Sequence, residues 1–257
     1  MIIAFARQRG MPDAQRIAVD PAARSVQWAT GSRLADTVAW DVPTGGTVFG
    51  TLLNFRGALA ALGSAVNAPP YLTPPRAPIL YVKPANTWIP HGAPIPLPSG
   101  VPELEMGATL GVVIDRGACR VPVTRALEFV RGYTIVNDVC EPHASIYRPA
   151  IRQRCRDGFC AIGPWVVARA GLPSPDALQI RVFVNDDLRC TNTTANLIRP
   201  VAQLIADVTE FMTLGDGDVL LVGTPENTPR VRGGDRVRIE IDGIGALENT
   251  VEARAAQ

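Results

Sequence analysis

A chain of 257 residues with 47% hydrophobic and 19% charged residues can bury a full core, and its composition excludes a disordered polymer. The formal net charge of +1 supplies no global field for nucleic acid or an anionic membrane, and apolar runs such as "LGVVI" are far shorter than a bilayer span. Five cysteines (Cys119, Cys140, Cys155, Cys160, Cys190) at irregular spacing fit neither a disulfide framework nor a Cys-x-x-Cys metal knuckle, which points to a reducing cytoplasm.

The 23 glycines and 23 prolines punctuate the whole chain and favour many short strands over long helices. Residues 1–45 form a loosely patterned, small β-rich segment that ends at "DVPTGG", and 46–257 form the main domain. "TVFGTLLNFRGALAALG" predicts a strand and then a short helix. "APPYLTPPRAP" is a Pro-rich loop, and "ILYVKP" a strand. Farther on, "VTRALEFVRG" predicts a helix and "YTIVNDV" a strand. The Arg-rich stretch "CEPHASIYRPAIRQRCRDGFCAIGP" reads as a loop or short helix beside a site. "LQIRVFVND" is a strand, and "ANLIRPVAQLIADVTEFM" carries the three- and four-residue apolar spacing of an amphipathic helix. "GDVLLVGTP" and "DRVRIEIDGIGALENTV" close the chain as strands. The fold class is α+β and β-rich, with few helices.

Two features invite chemistry. Glu103 and Glu105 stand two apart before the strand "LGVVIDR", where alternate residues share a face and two carboxylates could grip one divalent cation. Lys83 is the one lysine among 25 basic residues, which marks it for a specific role.

The segments "YVKPANT", "GYTIVNDV", "RDGFCAIGPW", "TLGDGDVLLVGTP" and "GGDRVRIEIDGIGALEN", in this order, resemble the fumarylacetoacetate hydrolase family, with markers running from Phe49 to Val251. The resemblance implies a β-roll of mixed sheets, a Mg²⁺ or Mn²⁺ site, and 2-oxo-acid substrates bound through that metal. "IYRPAIRQRCRDGFCAIG" is similar to members that isomerise and decarboxylate a 2-oxo dicarboxylate through an enolate in 4-hydroxyphenylacetate breakdown, in particular to their N-terminal half or subunit.

Residue by residue, the resemblance places Asp138 at a metal-ligand position. It puts Gly107 and Thr109 where the family carries the two glutamates of a Glu-x-Glu pair. Glu103 and Glu105 lie four residues upstream, about 13 Å along a strand against metal–oxygen bonds of ~2.1 Å. The implied cation site is therefore incomplete, and the "ELE" pair reads as a loop or strand-edge feature facing solvent. A lid segment that carries a proton-transferring His and Glu in the family reads "NFRGALAA" here. Asn54 and Phe55 match, but Ala58 and Ala61 replace the dyad, and general acid–base work is worth roughly 10²–10⁴-fold. Pro142 and His143 replace an Arg-Asp pair.

Lys83 matches a family lysine that meets a carboxylate or enolate and is the candidate catalytic residue. Candidate substrate-binding residues are Arg148, Arg154, Tyr147, Thr224 and Asn54. Arg152 and Arg156 crowd the same loop, where arginine forks suit a di- or tricarboxylate, while an exposed basic loop with surface ion pairs explains them equally. Asp138 has two readings, as a metal ligand or as a hydrogen-bond partner of nearby groups. His91 and His143 fall on no family catalytic position. Three functions follow: a component of the isomerase/decarboxylase; a non-catalytic subunit assembling with a metal-competent homologue; or an acylpyruvate-type C–C hydrolase. The expected partners are a small 2-oxo dicarboxylate and further subunits, as a homo-oligomer or hetero-assembly, with no nucleic acid and no membrane.

Overall fold

The computed structural model describes residues 1–28, 31–143 and 150–253. In chain order the strands are β1 (Ile2–Gln8), β2 (Gln15–Asp20), β3 (Ser25–Trp28), β4 (Gly31–Leu34), β5 (Trp40–Asp41), β6 (Val48–Leu52), β7 (Ile79–Lys83), β8 (Trp88–Pro90), β9 (Ile95–Leu97) and β10 (Leu104–Glu105). They continue with β11 (Ala108–Ile114), β12 (Val130–Asp138), β13 (Cys160–Ala168), β14 (Gln179–Val184), β15 (Asp187–Thr193), β16 (Val219–Leu221), β17 (Arg230–Val231), β18 (Arg236–Ile241) and β19 (Gly245–Ala253). The α-helices among the described residues are short: α1 (Arg56–Ala60), α2 (Ile151–Arg154) and α3 (Val201–Thr209). None is long and apolar enough to cross a membrane.

The largest sheet has the order β4-β3-β2-β1-β13-β12-β11-β16-β6-β7, with β5 beside β1 and β8 beside β13. A second sheet has the order β15-β14-β18-β19-β9, and β10 pairs with β17. Most pairs are antiparallel, but β6/β16, β8/β13 and β9/β19 are parallel, so the sheets are mixed, as the family resemblance implies. The strand-rich residues 1–45 extend the large sheet through β1, where Ala4 stands opposite Val167 of β13. Trp40 stacks on Trp28 at 5.9 Å and meets Trp165 of β13 edge-on at 6.0 Å.

Alternation along the central strands divides the apolar residues between two cores. Leu110, Val112, Ile135, Ala161 and Leu220 join the main core. Their sequence neighbours Val113, Val136, Cys160, Ile162, Val219 and Leu221 form a smaller cluster on the opposite face with Val42 and Val48. The sheet curls around this smaller cluster. The chain leaving β7 reaches β8, which pairs with β13, so the β13-β12-β11-β16-β6-β7 portion rolls back toward its own start.

Two helical expectations change in detail. Residues Val123–Phe129 form a 3₁₀ segment instead of an α-helix, because Pro122 and the strand beginning at Val130 leave only seven residues between them. The predicted amphipathic helix starts only at Val201, because Pro200 disfavours helical geometry in the residue before it. Within α3 the buried Val201, Leu204, Ile205 and Val208 keep the expected spacing, and the Asp176 carboxylate accepts the Val201 N–H at 2.8 Å.

Candidate functional site

Asp138 ends β12, the strand after the 3₁₀ segment, and its backbone N–H donates to Gly107 O at 2.8 Å. Lys83 ends β7, four strands away in the sheet order. Flat, that separation is about 19 Å at ~4.8 Å per strand. Curling of the sheet brings Lys83 Nζ within 2.9 Å of Asp138 Oδ1, and both side chains are 0% exposed.

The rest of the cluster builds on this pair. Arg154, the last residue of α2, places Nη1 2.9 Å from Asp138 Oδ2. The same oxygen accepts a short hydrogen bond from the Tyr81 hydroxyl. Strand alternation puts Tyr81 and Lys83 on one face of β7. The Tyr81 ring seats over Gly50, its partner across the β6/β7 ladder, where any Cβ would overlap the ring. The Arg154 guanidinium lies 4.9 Å from the ring centroid. Lys83 Nζ also donates to Val139 O at 3.0 Å and to Arg154 O at 2.6 Å.

The electrostatics follow from burial and these partners. Burial pushes the Asp138 carboxyl upward, but Lys83, Arg154 and the Tyr81 hydrogen bond more than offset it and hold the carboxyl below its ordinary value. Burial and the adjacent carboxylate push the Tyr81 phenol well above its ordinary value, so Tyr81 is neutral. Burial lowers the Arg154 guanidinium, and Asp138 overcompensates, which leaves it raised. Burial pushes the nearby Cys140 thiol up to about 12, an unreactive thiol. The cluster thus holds two cations against one carboxylate.

The residues implied as cation ligands do not fit a divalent ion. A Cβ at Gly107 would overlap the Asp138 carbonyl oxygen and come within 2.8 Å of Thr224 Cγ2, so the backbone closes that position to any side chain. Thr109 is buried and turns its hydroxyl to Leu110 O at 3.4 Å. Both Asp138 oxygens face protein cations. Glu103 and Glu105 reach Arg230 at 2.8 and 3.2 Å, and Glu105 also accepts from the Cys140 thiol at 3.6 Å. They are half-buried and ion-paired, and Arg230 of β17 covers the pair that the sequence reading turned toward open solvent. No cluster of three or more His, Cys, Asp or Glu among the described residues is placed to hold a metal ion. A Gly107→Glu variant is accordingly expected to melt below the native protein, by about 1–3 kcal/mol for overpacking, with no rise on adding Mn²⁺. Thermal melts with and without Mn²⁺ check this, and a Mn²⁺-dependent gain would contradict it.

The other candidates are distributed around the cluster. Thr224 borders the Gly107–Asp138 corner. Asn54 is buried and spends its side chain on backbone: Nδ2 donates to Arg199 O and Val222 O at 3.1 and 2.9 Å, and Oδ1 accepts from Arg199 N at 2.9 Å. It ties the β6–α1 connection to the loop before α3. Ala58 lies within α1 and Ala61 follows it, exposed. Arg156 pairs with Glu141, and Arg152 is exposed. Tyr147 and Arg148 lie outside the described residues. His91 is buried at the junction of Asp36 and β19, where its Nδ1 accepts from Glu248 N at 3.1 Å. Tyr81 was not singled out in the sequence. The signal was present, since it stands two residues before Lys83 on the same strand face.

A rolled mixed sheet that brings Lys83 of its edge strand β7 onto Asp138 of the interior strand β12 defines the class, and residues 47–252 match the fumarylacetoacetate (FAA) hydrolase C-terminal family. The chain belongs to that family. It is 43% identical over 208 residues to the 4-hydroxyphenylacetate degradation bifunctional isomerase/decarboxylase of Salmonella dublin, covering 81% of this chain and 47% of that protein. The chain therefore spans about half the length of the curated relatives that it matches first. Among solved structures, the 5-carboxymethyl-2-hydroxymuconate delta-isomerase of Mycobacterium smegmatis superposes with a TM-score of 0.80 at 27% identity, over 100% of both chains. The maleylpyruvate hydrolase of Sphingobium sp. SYK-6, solved with manganese(II) and pyruvate, shares the fold at a TM-score of 0.78 and 21% identity, over 98% of this chain and 100% of that one.

Proposed function

We propose that this chain is a component of the 2-hydroxyhepta-2,4-diene-1,7-dioate isomerase / 5-carboxymethyl-2-oxo-hex-3-ene-1,6-dioate decarboxylase of 4-hydroxyphenylacetate breakdown. The observation that carries the reading is the buried Lys83–Asp138–Arg154 cluster, in which cations outnumber carboxylates. The 43% identity to the Salmonella isomerase/decarboxylase supports the pathway, and the substrate class, a 2-oxo dicarboxylate, is the one the family resemblance implies. Loss of CO₂ or of an acidic C–H proton moves electrons onto the 2-oxo oxygen and forms an enolate. The Lys83 ammonium and Arg154 guanidinium donate hydrogen bonds to that oxygen, and a water-poor site strengthens them. The family resemblance assigns Arg148 and Tyr147 to the remaining carboxylates, and Thr224 borders the Gly107–Asp138 corner. The Mg²⁺ or Mn²⁺ implied by the family takes no part, because the donor set does not fit it. Residues 1–45 precede the catalytic domain of 46–257 as a strand-rich segment.

A second reading has its own support. Ala58 and Ala61 on the lid and the closed position at Gly107 suit a subunit whose role is assembly with a metal-competent homologue, as a homo- or hetero-oligomer. Turnover of 5-carboxymethyl-2-oxo-hex-3-ene-1,6-dioate by the purified chain separates the two, with and without EDTA. EDTA-insensitive turnover is expected. Activity that appears only with the homologue and Mg²⁺ favours the assembly role, and none in either case removes the pathway assignment.

A further inference from the structure

The Asp138 cluster contains one group that neither enolate stabilisation nor carboxylate binding uses. The Tyr81 hydroxyl is hydrogen-bonded to Asp138 Oδ2, its ring seated over Gly50 and beneath the Arg154 guanidinium. An isomerisation must lift a proton from one carbon and deliver it to another. Ala58 and Ala61 have no side-chain proton to give, Lys83 and Arg154 serve as cations, and among the described residues Tyr81 supplies the hydroxyl bonded to the Asp138 carboxylate.

We infer that Tyr81 relays the migrating proton between the substrate carbons and Asp138, in place of a lid dyad. The inference rests on the reading above that the chain handles a 2-oxo dicarboxylate. In the first step a substrate C–H bond breaks and its electrons enter the enolate held by Lys83 and Arg154. The proton bonds to the phenol oxygen as the phenol's own proton passes to Asp138 Oδ2. Asp138 Oδ2 already accepts from that hydroxyl, so the acceptor for the phenol's proton is in place. Delivery runs the same path backwards: Asp138 returns a proton to the phenol oxygen, and the phenol gives one to the second carbon. Tyr81 ends neutral and Asp138 ionised, one proton has moved, and no other reagent is consumed.

The relay makes Tyr81 a catalytic residue, and Tyr81→Phe tests it because the ring keeps its seat over Gly50. With 2-hydroxyhepta-2,4-diene-1,7-dioate as substrate, kcat is expected to fall on the order of 10²-fold or more while KM stays within roughly twofold. Rate measurements in H₂O–D₂O mixtures are expected to show more than one proton in flight for the native chain and fewer for the variant. Should the variant fail to fold, substrate deuterated at the donor carbon tests the native chain directly. A shielded relay carries part of the label into product, and complete washout overturns it. A native rate for Tyr81→Phe overturns the relay alone, whereas no turnover by the native chain overturns both the relay and the reading beneath it.

Discussion

Asp138→Asn is expected to destabilise the chain by about 3–5 kcal/mol, because it leaves the Lys83 ammonium and Arg154 guanidinium buried without a counter-charge. In a chain of this size that is a fall in Tm on the order of 10 °C. The effect has a sign in pH. The folded carboxyl is held below its ordinary value, so its contribution is fully present above the unfolded value of about 3.9. It is lost as pH falls through the lower, folded value, where the carboxylate finally takes a proton. The stability gap between native chain and variant should therefore be full near neutrality and shrink in the acid limb. Urea unfolding curves between neutral pH and pH 3 measure it, and a gap independent of pH sinks the electrostatic account.

Lys83→Met should be the most damaging change for turnover. Methionine fills a similar volume but withdraws the ammonium from Asp138, from Val139 O at 3.0 Å and from Arg154 O at 2.6 Å. Losing one preorganised donor to a developing oxyanion costs on the order of 10²–10³-fold in kcat. The variant also strands two buried carbonyls and part of a carboxylate, so stability falls too. Combined with Asp138→Asn, the two losses should not add, because each removes the partner that made the other costly. A coupling of about 0.5–3 kcal/mol is the expected result of the double-mutant cycle. Strictly additive losses would show that the two groups act independently.

Much of this architecture is legible in the chain because two-residue alternation is local. "YTIVNDV" and "LQIRVFVND" announce strands, and "VAQLIADV" shows its buried helical stripe. What the sequence conceals is long-range. Lys83 and Asp138 can each be named from their surroundings, but their contact depends on the curl of a whole sheet, which no local pattern encodes. Asn54 looks like a ligand-binding amide, and only the fold reveals that backbone 145 residues away uses its side chain. Tyr81 is overlooked for a plainer reason: an aromatic residue in a strand is what any core supplies. Residues 123–129 show apolar spacing suited to an α-helix, yet two neighbouring constraints leave too little length for one.

The rolled sheet meets itself at Lys83 and Asp138 through side chains, without a backbone ladder between β7 and β12. Five residues farther along, Trp88 stands opposite Cys160 in the β8/β13 ladder, so backbone closes the roll beside that side-chain contact. Charge neutralisation and strand pairing thus share one closure: a substitution that removes the Lys83–Asp138 pair loosens the local contact and leaves the neighbouring ladder to hold the roll.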